Sequence, residues 1–120
     1  MPINYEKETP LPHRFWESFV KQTQGGSGSV AAGASTYKEI QPPVGETWLI
    51  FVVMGMDGPQ DKCWCGYYKY DGTTEEWMGG NYGGYFFIAI IDNSNYIRLY
   101  FTNDDTSTWN YAYGYSVFKL

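Results

Sequence analysis

The chain has 120 residues, a length that suits one domain with one hydrophobic core and no need of a metal or disulfide to hold it. Aromatic residues make up 20% of it, with 12 Tyr, 7 Phe and 5 Trp, and 14 Gly with 6 Pro supply turns, a mixture that favours strands over helices. A formal charge of −5 with scattered Lys and Arg argues against a nucleic-acid partner, and the longest wholly apolar run, Trp48 to Met54, is too short to cross a bilayer as a helix.

Residues 1–12 carry three prolines and no apolar period, so they read as an extended N-terminal arm without the apolar stretch of a secretory signal, and residues 13–120 read as a single domain. From His13 to Thr23, alternation of Phe15, Glu17 and Phe19 predicts a strand, although Trp16 and Val20 also allow a helical stripe. Gly25 to Ser29 reads as a flexible connection, and the stretch from Val30 to Ile40 as a weak strand interrupted by Gly33. Pro42, Pro43 and Gly45 make a turn. Glu46 to Met56 is the strongest strand: Trp48, Ile50, Val52 and Met54 point one way, Leu49, Phe51 and Val53 the other, which predicts a central position with cover on both faces.

Asp61 to Tyr70 alternates strictly, with Trp64, Gly66, Tyr68 and Tyr70 opposite Cys63, Cys65, Tyr67 and Lys69. Asp71-Gly72 then predicts a hairpin with Thr73 to Met78 as the returning strand, and Gly79 to Gly84 reads as a surface loop. Tyr85 to Ile91 is a second buried strand, closed by the polar run Asp92 to Asn95. Tyr96 to Thr102 is predicted to return beside it as another hairpin, with Ile97, Leu99 and Phe101 opposite Tyr96, Arg98 and Tyr100. Trp109 to Leu120 is the last strand. About eight short strands at this spacing predict an all-β fold, an antiparallel β-sandwich or barrel.

The residues offer no catalytic constellation, so the chain reads as a protein that is not an enzyme. His13 is the one histidine and stands beside the arm without a nucleophile at a useful spacing. Cys63 and Cys65 are too few for a zinc site and, two apart on a strand, poorly placed for a disulfide; both are expected as thiols. Asp57, Asp61, Asp104 and Asp105 read as solvated turn residues and not as calcium ligands, and Glu75 and Glu76 point to opposite faces of their strand. No cofactor is implied. The surplus of large aromatics points outward instead, and Trp64, Trp77, Tyr82, Trp109, Tyr111 and Tyr113 are the candidate interface or glycan-stacking residues, with core packing as the other role open to each.

Pro43-Val44-Gly45-Glu46-Thr47-Trp48-Leu49-Ile50 and, later, Asn95-Tyr96-Ile97-Arg98-Leu99-Tyr100-Phe101-Thr102-Asn103 resemble segments of small single jelly-roll capsid and virion-surface proteins of archaeal and thermophilic bacterial viruses. The resemblance spans roughly Tyr37 to Leu120. It implies a jelly-roll-like sandwich with a noncatalytic structural role in a virus particle, located in the virion, self-associating or joining other virion proteins, with the arm tying neighbours together. The alternative is a carbohydrate-binding module or receptor-binding head whose stacking platform is Trp77, Tyr82 and Trp109.

Overall fold

The computed structural model describes residues 24–120; the expected arm over 1–12 and the strand expected over 13–23, with His13, lie outside the described residues. Eight strands follow in order: β1 (Gln24–Val30), β2 (Ser35–Ile40), β3 (Thr47–Met56), β4 (Cys63–Tyr70), β5 (Glu75–Tyr82), β6 (Gly84–Asp92), β7 (Tyr96–Asn103) and β8 (Trp109–Lys119). Their pairing is that of one long antiparallel hairpin rolled on itself. The tip is β4 with β5, and outward from it come β3 with β6, β2 with β7 and β1 with β8. Rolling it up adds the β3–β8 and β4–β7 pairs and divides the strands into two four-stranded sheets, β1-β8-β3-β6 and β2-β7-β4-β5. This is an antiparallel β-sandwich with jelly-roll wrapping, as expected.

The core lies between the sheets and follows the alternation of the central strands. Ile50, Val52 and Met54 of β3 line the inner side of one sheet and Ile97, Leu99 and Phe101 of β7 that of the other, and all six are buried in one core. Each such side chain contributes about 1.5–3 kcal/mol through the apolar surface it removes from water. Tyr67 of β4 and Phe87 of β6 close the middle, their rings stacked across the sheets with centroids 3.6 Å apart. At one end Asn103 is wholly buried, its side-chain amide donating to the carbonyls of Val30 at 2.9 Å and Ser107 at 2.7 Å while its oxygen accepts the Asp105 amide at 2.9 Å. That one side chain ties the end of β1 to the β7–β8 loop.

Three expectations are corrected. Gly25 to Ser29 is not a flexible connection but the body of β1, paired with Ala112, Gly114 and their neighbours on β8. The glycines leave room there: a Cβ on Gly28 would stand 2.7 Å from the Tyr111 hydroxyl, and one on Gly26 3.0 Å from that of Tyr113, so these two rings fill the space that β1 side chains would take. Gly79 to Gly84 is also not a loop. It continues β5 through Tyr82, turns at Gly83, whose φ of +81° suits glycine, and opens β6 at Gly84. Finally, Tyr96 to Thr102 does not return beside Tyr85 to Ile91. The Asp92 carboxylate caps the Ser94 and Asn95 amides, each at 2.8 Å, but the turn carries the chain across to the other sheet, where β7 lies between β2 and β4. The Asp71-Gly72 hairpin is present, joining β4 to β5, and β3 sits between β8 and β6 as its two apolar faces predict.

Candidate functional site

The outward face of the β2-β7-β4-β5 sheet is built from the residues whose alternate neighbours enter the core. Strand register sets Tyr37 opposite Tyr100, Arg98 opposite Tyr68, Tyr70 opposite Tyr96, and Trp64 opposite Tyr82. Their rings meet in a continuous ridge across the four strands. Tyr37 stacks on Tyr100 with centroids 5.2 Å apart, Tyr68 meets Tyr100 edge-on at 4.8 Å and Trp77 at 5.4 Å, and Trp77 stacks on Trp64 at 5.0 Å. Tyr37, Trp77 and Tyr82 are about half exposed, at 45%, 48% and 52%.

Two local features make the ridge possible. Gly66 and Gly80 are paired on neighbouring strands, and a Cβ on either would fall within 2.9 Å of the Trp64 ring, so the indole lies over bare backbone. The second is a bulge: pairing passes from Tyr67–Gly79 to Tyr68–Trp77, leaving Met78 as an extra residue on β5. One extra residue reverses which side chains point outward. Without it Trp77 would face away from Tyr82; with it Trp77 and Glu75 join Tyr82 on the ridge.

Arg98 is the charged centre of this face. Its guanidinium carbon lies 3.6 Å from the Tyr70 ring centroid and 4.7 Å from that of Tyr37. Its Nε contacts Glu39 at 3.2 Å and a terminal nitrogen approaches Glu75 at 3.7 Å. Glu75 also accepts the Tyr100 hydroxyl at 2.5 Å. Burial, followed by that hydrogen bond, pushes the Tyr100 phenol up to about 12, so it remains a neutral donor across the physiological range. Positive charge, carboxylates and rings are thus held in fixed relative positions, an arrangement suited to recognition of another molecule's surface.

Of the residues singled out from the sequence, Trp64, Trp77 and Tyr82 come together here. Trp109, Tyr111 and Tyr113 do not: they project from β8 toward the interior of the sandwich. Tyr111 is buried and stacks on Phe101 at 4.5 Å, Tyr113 lies 6.2 Å from the same ring, and Trp109 donates its indole N–H to Asp105 at 2.7 Å. The platform of Trp77, Tyr82 and Trp109 therefore does not form, because β5 and β8 belong to different sheets. Tyr37, Tyr68, Tyr70, Arg98 and Tyr100 were missed as site residues. Their outward phase was visible in the alternation, but which strands lie side by side was not.

The loop aspartates hold turns and strand ends instead. Asp57 accepts the Asn110 amide at 2.7 Å, Asp71 accepts the amides of Thr73 and Thr74, and Asp105 holds Trp109. Among the described residues no group of three or more His, Cys, Asp or Glu side chains converges on a metal position. Cys63 and Cys65 are free and buried, and burial pushes the Cys65 thiol up to about 12.

No family model matches the chain, and no curated protein matches it. A solved structure does: the PliG protein of Aeromonas hydrophila, described as a periplasmic inhibitor of g-type lysozyme, superposes with a TM-score of 0.53 at 12% identity over 81% of this chain and 87% of its own. At that identity the likeness is one of fold. It is to an enzyme inhibitor and not to an enzyme. It corrects the expectation of a virion capsid or surface subunit that self-associates within a virus particle, since the protein sharing this fold is periplasmic and is an inhibitor of another protein.

Proposed function

We propose that the chain is a noncatalytic protein-binding module that acts through the outer face of the β2-β7-β4-β5 sheet, and that its partner is a lysozyme, which it inhibits. The observation that carries this reading is the pre-arranged ridge of Tyr37, Tyr100, Tyr68, Trp77 and Trp64 around Arg98. Tyr, Trp and Arg dominate the energetics of protein interfaces because they bury much surface while giving up few rotatable bonds. Here ring–ring contacts hold them before any partner arrives, which lowers the ordering cost of association. A net charge of −5 adds attraction for a basic partner, and the likeness in fold to a g-type lysozyme inhibitor supplies the partner class.

The test is titration of the purified chain into g-type lysozyme, with calorimetry for binding and bacterial lysis for inhibition. Binding with Kd of about 1 μM or tighter and loss of lysis are expected, with Trp77→Ala and Tyr100→Ala each weakening affinity roughly tenfold or more. Absence of binding at about 100 μM rules out this partner. Binding that both variants leave untouched moves the interface off this face.

A further inference from the structure

The outer face of the other sheet has the opposite character. Leu49, Phe51 and Val53 of β3 are paired with Ile90, Ile88 and Phe86 of β6, and Leu49 and Phe51 with Phe118 and Ser116 of β8, so this side of the sandwich is apolar from β8 to its β6 edge. Phe86, Ile88 and Ile90 are 75%, 58% and 64% exposed, and Val53 is 50% exposed. A contiguous apolar patch of this kind on a soluble domain marks a surface that something covers. Burial across it is uneven: Ser116, on the same face beside Phe51 and Phe118, is wholly buried.

We propose that the occupant is the chain's own segment from His13 to Thr23. The described residues begin immediately after it. Gln24, the first of them, is paired with Tyr115 in this same sheet, and that row continues through Val52 to Phe87. Three strand spacings of about 4.8 Å separate Gln24 from β6, roughly 14 Å. Eleven residues span about 16 Å even at the short rise of a helix, so the preceding segment reaches the whole face directly from its point of attachment. It also carries the right side chains: Phe15, Trp16, Phe19 and Val20 are four apolar residues within six, and Arg14, Glu17, Lys21 and Gln22 remain to face water. Gly25, Ala112 and Gly114 present no large side chain on the β1–β8 side, so a chain leaving Gln24 can cross close to the sheet. Tethering raises the local concentration of this segment to the millimolar range, well above that of a second copy or a free partner. The β2-β7-β4-β5 face is then the one left open for other molecules.

The experiment uses the full chain. Trp16 emission is obtained as the difference between the parent and Trp16→Phe, trypsin cleavage at Arg14 and Lys21 is timed, and solution mass is measured by light scattering, each repeated in Ile88→Glu. A blue-shifted Trp16 contribution in a monomer, moving to the red in Ile88→Glu with cleavage at least several-fold faster, is expected. Phe86→Glu serves as a second variant on the exposed edge should Ile88→Glu lower the melting temperature. A Trp16 that emits as a solvated indole in the parent overturns the proposal. So does a parent dimer that Ile88→Glu dissociates without changing Trp16, because the face is then covered by a second copy.

Discussion

Arg98 lies over the Tyr70 ring, with its guanidinium carbon 3.6 Å from the ring centroid, while its Nε holds the Glu39 carboxylate at 3.2 Å. The side chain is mostly shielded, at 16% exposure, and that is what separates it from an ordinary surface cation. A planar, weakly hydrated guanidinium satisfies stacking and ion pairing together, which a lysine ammonium does not. Arg98→Lys is expected to cost about 1–2 kcal/mol of stability, seen as a lower urea midpoint with an unchanged slope, and Arg98→Ala somewhat more. A lysine variant as stable as the parent shows that the stacking contributes nothing.

Gly66→Ala and Gly80→Ala test the floor of the ridge. The added methyl on Gly66 would lie 2.8 Å from the Gly79 carbonyl oxygen and that on Gly80 2.4 Å from the Cys65 carbonyl oxygen, in addition to the Trp64 ring. Backbone cannot yield as a side-chain tip can, so each substitution is expected to destabilise the protein by about 1–3 kcal/mol and to change the near-ultraviolet circular dichroism of the Trp64–Trp77 pair. A fully stable Gly80→Ala variant with parental circular dichroism contradicts the observed approach of the two strands.

Asn103→Leu removes the donors to the Val30 and Ser107 carbonyls and the acceptor of the Asp105 amide in one step. Leaving such groups unpaired in a buried position costs about 1–3 kcal/mol each where water does not replace the side chain, so a loss of about 3 kcal/mol is expected by chemical denaturation. Faster amide exchange at the end of β1 is the local signature, since Asn103 attaches that strand to the β7–β8 loop.

The pH dependence has two limbs. Hydrogen bonds from the Thr74 and Thr73 amides lower the Asp71 carboxyl, and the Trp109 indole lowers that of Asp105. A depressed folded value contributes stability that is complete above the unfolded value of about 3.9 and is lost as pH falls through the lower folded value, so Trp109 emission and stability are expected to change together below about pH 4. In alkali the sign reverses: burial raises Cys65 and Tyr100 to about 12 each. Their contribution is complete below the unfolded values of roughly 8.5 and 10 and disappears as pH rises through the folded ones. Tyrosinate absorbance in Tyr100→Phe should lack one late-titrating group.

Much was legible along each strand and little between strands. The alternation separated Ile50, Val52 and Met54, and Ile97, Leu99 and Phe101, as shared faces of their strands because a period of two is a local property of the chain, and those faces are the ones buried. The same alternation set Tyr68, Tyr70, Arg98 and Tyr100 on the sides of their strands away from Cys65, Tyr67, Leu99 and Phe101, and burial of the latter made the former side the outward one. Composition and strand count carried the all-β sandwich for the same reason.

What tertiary structure alone decided was adjacency. Trp77 joins Trp64 only because a bulge at Met78 shifts β5 by one residue, and Trp109 is kept from them because β8 belongs to the opposite sheet. Gly25 to Ser29 forms a strand only because Tyr111 and Tyr113 of β8 supply the rings that cover it. The turn at Asp92 is held by the same carboxylate-to-amide bonds whether the next strand returns alongside or crosses over, so local chemistry left that choice open. It was settled by the burial of Ile97, Leu99 and Phe101 in the core between the sheets, where Phe101 stacks on Tyr111 of β8, a residue of the opposite sheet.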